Sequence, residues 1–572
     1  MSQPTERAGD APHPAHDPGS LSRGVRETIE AIAIAFALAF LFKTFEAEAF
    51  VIPTGSMAPT LMGRHKDVEC PQCGYHYSTS ASEEADRNGV VKSDAGSQVI
   101  GCTCPICRYP MVVDPLEPAG AANPSYSGDR IWVSKVPYNF MEPRRWDVIV
   151  FRYPLEAETY YIKRLIGLPG ETVKIFHGDI FTKSAESPEF SIARKPPEKL
   201  RAMAQIVHDN DYVSRELLAH DWPLRWQPWS QSDSPGDWEP SEDTRTYRTD
   251  GKGAGVSWMR YQHIVPPPAN WQDGAWHEQR VPQAQLVTDF YAFNTPVTRR
   301  QHYADPAMLG LHWVGDLILD CELESMSSSG HVYFDLVKGG RHFGCDVDLA
   351  SGEAQLTISG LDTFHPKAQT ALKGEGTHRV MFANADRRLT LWIDNRVVEF
   401  DSSTEFDDLN NDQPHAPDDL APLGIGSQGA ALEARHLRVL RDIYYIADGP
   451  KGDPLLTDYQ LAGVVAPWGT SDRLADFMAN PERWQNPRDG NFFDHRQEVL
   501  FPLAEDQFFV LGDNSPASSD ARLWPTQHYV ERDLLVGKAL LVYWPHPLTL
   551  PLPLTDKGIG IIPNLGRMGL IR

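Results

Sequence analysis

Through the middle and both ends of this 572-residue chain, apolar and polar positions alternate in short runs. That period of two predicts strands. Near the front they are expected at Ile131–Ser134, Asp147–Arg152 and Tyr160–Ile166, then, after the turn Gly167-Leu-Pro-Gly170, at Thr172–Phe176. The same texture returns at Gln507–Leu511 and Leu535–Trp544. Between these ends, further runs fall at Leu317–Glu324, Val332–Val337, Gln355–Ser359, His378–Ala383, Leu389–Ile393 and Ala434–Arg441, with turns at Ala385-Asp386 and Asp394-Asn395. Many short strands at this spacing predict an all-β sandwich over 200–450.

One segment departs from the alternation. Ala31–Phe42 is an uninterrupted apolar run; as a helix it covers about 18 Å, short of the ~30 Å hydrocarbon core of a bilayer. Extended to 25–45, with Arg26, Glu27 and Lys43 reaching the interfaces, it predicts a transmembrane signal anchor. A buried core helix and a cleavable leader ending at Ala47-Glu48-Ala49 are the alternatives. Residues 1–24, rich in Pro, Ala, Asp and His, read as a disordered tail. Arg7, Arg23 and Arg26 precede the run and Lys43 follows it, which favours a cytoplasmic N-terminus with the rest outside the membrane.

Length and charge narrow the classes. A chain this long exceeds one hydrophobic core and predicts several domains. The net charge of -24 argues against a nucleic-acid partner, whose phosphates would be repelled. Of the 7 cysteines, most lie between Cys70 and Cys107, as expected for one local site. Cys70-Pro-Gln-Cys73 and Cys104-Pro-Ile-Cys107 are paired knuckles able to supply four thiolates to one structural zinc, within a ribbon-like module at 64–115. In an oxidising exterior the same residues could instead form disulfides. Cys102 is then a spare thiol, and His65 and His76 are bystanders. Cys321 and Cys345 fall on runs read as neighbouring strands and could pair.

Candidate chemistry sits in three stretches. Phe50-Val-Ile-Pro-Thr-Gly-Ser56-Met-Ala-Pro-Thr-Leu61 puts a serine in a Pro-bounded loop two residues after Thr54. Tyr160-Tyr-Ile-Lys163-Arg-Leu-Ile-Gly-Leu-Pro-Gly-Glu171 carries a lysine among aromatic and aliphatic neighbours, and Gly512-Asp-Asn-Ser-Pro-Ala-Ser518-Ser-Asp520-Ala-Arg522-Leu-Trp524 is dense in hydroxyls and acids. With Gly128–Lys135 and Arg145–Phe151, these segments stand in the order found in signal peptidase I, the membrane-bound protease that removes leader peptides, and the chain resembles that family over 25–65, 125–180 and 500–550.

The resemblance implies Ser56 as nucleophile, Lys163 as general base, and Thr54 with the Ser56 N–H as oxyanion donors. It further implies Ser518 orienting the lysine amine, Asp520 and Arg522 as a supporting ion pair, and Phe50, Ile52 and Ile162 as walls of the substrate pockets. Ser515, Pro516, Ala517 and Ala521 depart from the family pattern. The chemistry is coherent, since a lysine base must lose about 3 pH units from its free value near 10.4, which burial among apolar groups supplies. The stretch around His378–Asn395 resembles concanavalin-like (laminin-G-like) sandwiches.

The expected architecture is therefore a mostly-β signal-peptidase fold with an N-terminal transmembrane helix, the peptidase running over 46–180 and 496–572. A ribbon and a sandwich interrupt it. No cofactor enters the chemistry; zinc would be structural. The partners implied are preprotein signal peptides, the bilayer, and a glycan or protein at the sandwich. The site implied is the inner (plasma) membrane, single-pass, with the catalytic part on its exterior side. A rival of another class is an envelope binding protein on a degenerate peptidase frame. Because every residue assigned to catalysis lies outside 185–495, that stretch is expected to be dispensable for bond cleavage.

Overall fold

The computed structural model describes residues 26–36, 47–86, 89–118, 120, 123–229, 237–253, 255–267, 270–272, 275–277, 281–301, 310–449, 457–459, 471–484, 486, 492–552 and 555–572. Strands dominate them, joined by short helices and turns. The predicted strands appear, Thr172–Phe176, Gln507–Leu511 and Leu535–Trp544 with the expected bounds and Arg130–Ser134, Val148–Tyr153 and Glu156–Gly167 with bounds shifted by a few residues.

The sheet built from the two ends of the chain runs in the order Ala47–Val51, Arg130–Ser134, Leu535–Trp544, Val148–Tyr153, Glu156–Gly167, Gln507–Leu511, Val530–Glu531, with antiparallel neighbours. Sequence alternation explains its two-sidedness. Arg130–Ser134 shows one face to solvent, with Ile131 and Val133 buried and Arg130 and Trp132 exposed. Val148–Tyr153 is buried on both faces for its first four residues. Val148 and Val150 join one core with Ile52, Met57, Leu61 and Ile131, whereas Ile149 and Phe151 join another with Leu165, Leu511, Trp524 and Phe509. A strand between two cores reads as a continuous apolar run, as Val-Ile-Val-Phe does. A second sheet, Ser191–Ile192, Asp179–Lys183, Thr172–Phe176 and Val499–Pro502, closes over the latter core.

In the middle of the chain two sheets face each other across a shared core. Tyr247–Thr249, Leu432–Arg441, Leu317–Ser325, Gly376–Ala385 and Arg388–Ile393 are consecutive in one, and Trp226–Trp229, Ser257–Tyr261, Leu423–Gln428, His331–Lys338, Arg341–Asp348 and Glu353–Ile358 in the other. Leu319, Leu323, Phe382 and Val439 meet Phe334, Phe343, Val347 and Ile425 between them, the layered arrangement of a β-sandwich. Both predicted hairpin turns use left-handed residues, Asp386 and Arg387 in one and Asp394 and Asn395 in the other, as tight hairpins require.

One expectation is corrected here. Cys321 and Cys345 do not lie on neighbouring strands: Leu317–Ser325 and Arg341–Asp348 belong to opposite sheets, because the chain crosses the sandwich between them. Both thiols are free and buried.

The sandwich is not loosely tethered. Lys195 reaches 2.8 Å to both Asp386 and Asp442 in a buried junction, a costly arrangement unless each charge is paired, as it is here.

At the N-terminus, residues 26–36 are helical, and Ile29, Ile32, Ile34 and Phe36 are exposed on it. The rest of the predicted 25–45 span lies largely outside the described residues. Among those described, no helix is long and apolar enough to cross a membrane.

Candidate active site

Three segments distant in sequence meet at one point. Lys163 lies on the strand Glu156–Gly167, where the period of two puts it on the face of Tyr161 and Leu165, opposite Ile149 of the adjoining strand. Ser56 sits at the centre of the single 3₁₀ turn Gly55–Met57, and all three turn residues are buried. Ser56 Oγ is 2.8 Å from Lys163 Nζ. The amine also donates to the Ile162 carbonyl at 3.0 Å and stands 5.4 Å from the Tyr161 ring, itself stacked on Tyr153.

Lys163 is only 4% exposed. Burial among these groups pushes its amine down to about 8, against an upward pull from Asp520 and Asp513. Each of these carboxylates is itself engaged by an arginine. Asp520 takes two 2.8 Å bonds from Arg522, at Nε and Nη2. Asp513 takes bonds of 2.7 and 2.6 Å from Arg164, with Thr60 Oγ1 donating to it as well. Desolvation wins over charge, and the amine is neutral over part of the physiological range. Below about pH 8 the protonated amine has no lone pair for the Ser56 proton. Activity should thus rise with pH through a midpoint near 8, which kcat/KM profiles of the purified chain will read.

The third segment follows Gln507–Leu511, which pairs with the lysine strand, Leu511 opposite Arg164. The Asn514 N–H donates to the Ser56 carbonyl at 3.1 Å, and Asn514 Nδ2 to the Gly55 carbonyl at 3.0 Å. Asp520 also accepts from the Gly512 N–H at 3.0 Å, while Arg522 braces the loop through the Ser515 and Ile446 carbonyls.

The residues singled out in the sequence thus distribute as follows. Ser56, Lys163, Asp520 and Arg522 come together as described. Ser518 is buried close by, against Gly512, which the Ser56 carbonyl also approaches, but its Oγ has no hydrogen-bond partner among the described residues and none joins it to Lys163. Thr54 is exposed at the start of the serine turn, in extended backbone. Phe50 and Ile162 are partly buried over the adjoining core, Phe50 against Tyr160 at 5.4 Å. Ile52 is sealed within that core, so it backs the wall and does not face solvent.

Sequence reasoning assigned no part to several supporting groups. Arg164, beside the lysine, carries the buried pair with Asp513. Arg145 and Glu171, both in the motif segments, form a two-point ion pair, and Glu171 also accepts from the Leu168 N–H, closing the Gly167–Gly170 turn. The adjacency of an Arg to the lysine and of a Glu to the turn was the available signal.

Away from the serine, Cys70, Cys73, Cys104 and Cys107 are buried with their sulfurs within 4.8 Å of one another. The two knuckles match: the Gly74 N–H bonds to the Cys70 carbonyl and the Cys70 N–H to Tyr75, as Arg108 does to Cys104 and Cys104 to Tyr109. Gly74 and Arg108 adopt left-handed backbone at the equivalent position, where glycine is favoured. His76 stands apart from the sulfurs. His65 belongs to a separate trio with the half-buried Asp67 and the buried His546.

The comparisons bear on this site. The family described as "Signal peptidase, peptidase S26" matches residues 111–216 and 436–544, which contain Lys163, Ser518, Asp520 and Arg522 but not Ser56 or Thr54. The chain is 39% identical over 107 residues to a signal peptidase I of Leptolyngbya laminosa, covering 16% of this chain and 52% of that protein. It is 37% identical over 106 residues to a probable signal peptidase I-1 of Synechocystis, covering 17% and 54%. With signal peptidase I of Pseudomonas aeruginosa it shares 40% over 77 residues, 11% and 27% of the two chains. The chain thus spans about half, or less, of the length of these relatives. Together the matches support a peptidase of the S26 family within this chain.

Among solved structures, a carbohydrate-binding module of Bacillus subtilis is 9% identical with a TM-score of 0.18, covering 38% of this chain and 94% of that one. A Crh5 transglycosylase in complex with NAG is 10% identical at 0.22, covering 38% and 79%. Scores this low establish no shared fold.

Proposed function

We propose that this chain is a membrane-anchored serine endopeptidase that cuts the leader from exported preproteins, with Ser56 as nucleophile and Lys163 as general base. The observation that carries the reading is the 2.8 Å approach of Ser56 Oγ to a buried lysine amine whose proton affinity is lowered to about 8. As Ser56 Oγ attacks the scissile carbonyl, its proton passes to Lys163, and the tetrahedral oxyanion takes hydrogen bonds from Thr54 Oγ1 and the Ser56 N–H. Lys163 then delivers the proton to the leaving amine and repeats the exchange with water to release the acyl group. Extended substrate would lie along Ala47–Val51 and Glu156–Gly167, where Phe50 and Ile162 favour small side chains.

The membrane reading draws on the exposed Ile29, Ile32, Ile34 and Phe36 of the helix at 26–36 and on Val51, Trp132 and Leu540, exposed on three successive strands of the sheet that follows it. The reading places the catalytic part on the exterior side of the inner membrane. The test is to incubate detergent-purified full chain with a preprotein. One cut after an A-x-A-like site is expected, absent in Ser56→Ala. No cut by the parent, or cutting that survives the substitution, would overturn the proposal.

Thr54 carries a further prediction. Thr54→Val should fold normally and lose about 10²–10³ in kcat, as expected for one oxyanion donor; unchanged kcat would remove Thr54 from the oxyanion site.

We also infer a structural zinc at Cys70, Cys73, Cys104 and Cys107. Tetrahedral zinc with Zn–S near 2.3 Å sets sulfurs about 3.8 Å apart, and the pairs stand at 3.5 Å (Cys70–Cys107) and 3.6 Å (Cys73–Cys104). About one zinc per chain is expected by elemental analysis, lost in Cys104→Ser; absence of zinc from freshly purified, reduced chain would contradict it.

A further inference from the structure

Besides Asn514, the serine turn is held by groups that neither its own loop nor the matched segments supply. Gly55 packs so tightly against Phe293 that a Cβ there would stand 2.2 Å from Cε1 of the ring, and Phe293 is buried. Next to it, Asn294 and Asn514 exchange both amide hydrogen bonds, at 2.6 and 2.7 Å, across 220 residues of chain. Asn514 is the residue that bonds the Gly55 and Ser56 carbonyls. From the ribbon, Ser82 Oγ accepts from the Gly55 N–H at 3.2 Å.

Phe293 and Asn294 belong to the short turn Ala292–Asn294, which leads directly into Val297–Thr298. That strand adds itself to the ribbon strand Val99–Thr103. Thr295 Oγ1 accepts from the Thr103 N–H at 3.0 Å, and Arg299 pairs with Asp114 at 2.6 Å. The segment 292–299 is therefore anchored along the ribbon while its tip presses on the nucleophile turn.

We propose that this segment is a positioning clamp for Ser56. Asn294 acts through Asn514, Phe293 acts on Gly55, and the two insertions are working parts of the active site. The inference rests on the Ser56 reading above. It also reverses the expectation that residues 185–495 are dispensable, because that stretch supplies Phe293 and Asn294. A serine displaced by a fraction of an ångström from its base loses rate out of proportion to any loss of fold.

The experiment uses the full chain in detergent and p-nitrophenyl acetate as probe, with Ser56 acylation followed by intact mass and nitrophenolate release. In acylation, the Ser56 Oγ–acyl bond forms, nitrophenolate leaves, and Lys163 takes the serine proton. Asn294→Ala is expected to slow acylation at saturating ester about tenfold to a hundredfold, leaving KM within about twofold and thermal unfolding unchanged. Gly55→Ala, driven into the Phe293 ring, should lose about a hundredfold, and adding Phe293→Ala should recover about tenfold of it.

Recovery of this kind reports a contact that sets serine geometry, and it decides the matter should Asn294→Ala fold poorly. Acylation by Asn294→Ala within about twofold of the parent, or no recovery in the double variant, overturns the clamp. A parent that acylates at Ser56 but cuts no leader counts against the proposed substrate alone. Acylation that persists unchanged in Ser56→Ala removes the serine reading and the clamp with it.

Discussion

Lys163→Arg is expected to lose cleavage as completely as Ser56→Ala, by about 10⁴-fold or more, the upper range for removal of a positioned base. Arginine keeps the positive charge but holds it almost permanently, since guanidinium barely deprotonates in proteins. The site offers no solvent to accommodate that charge: Lys163 is buried, and Asp513 and Asp520 are already committed to Arg164 and Arg522. Lys163→Met, which keeps the length and apolar stem, should be equally inactive. If the lysine served only as fixed charge, arginine would retain part of the rate. Turnover by Lys163→Arg above the Ser56→Ala background, measured on a preprotein in detergent, would refute the base assignment.

The second large effect concerns stability. Asp520 and Arg522 are both essentially sealed from solvent. Removing either leaves a buried charge without its counter-charge, a loss of about 3–5 kcal/mol. The Arg522 guanidinium also holds the Ser515 and Ile446 carbonyls, so the damage should concentrate in the segment that positions Asn514 and Ser518. Hydrogen exchange of peptides covering 507–524 is the suitable readout, because local opening is measured there without assuming that a multidomain chain unfolds in one step. Arg522→Ala should cut protection in these peptides by about 10²–10⁴-fold while sparing those of the sandwich. Equal protection in parent and variant would mean that the pair contributes little to the loop.

How far the sequence carried this picture follows from the range of each signal. Strands with clean alternation, such as Arg130–Ser134, or with an unbroken apolar run, such as Val148–Phe151, were legible because burial writes itself into neighbouring positions. Arg341–Asp348 and Leu423–Gln428 were not, since Gly344, Gly424 and Gly426 interrupt the pattern. The reading of Cys321 and Cys345 as neighbours failed for a related reason: strand order in a sandwich is set by where the chain crosses between sheets, and no local pattern records the crossing.

The candidate catalytic pieces were readable as ordered motifs, yet the burial that lowers the lysine's proton affinity, and the pairing of Asp513 with Arg164 beside it, were facts of three dimensions. Least legible of all was Ala292-Phe293-Asn294. Nothing in three such ordinary residues announces that they reach the serine turn, and the placing of every residue assigned to catalysis outside 185–495 pointed the other way.

The central claim is that Lys163 is a desolvated base poised on Ser56, and its most direct measurement is the titration of that one amine. Chain labelled with ¹³C at lysine Cε, assigned by comparison with Lys163→Met, would report the midpoint for Lys163 by NMR in detergent. A midpoint of about 8 is expected; a midpoint close to the free-lysine value of about 10.4 would contradict the role of Lys163 as base.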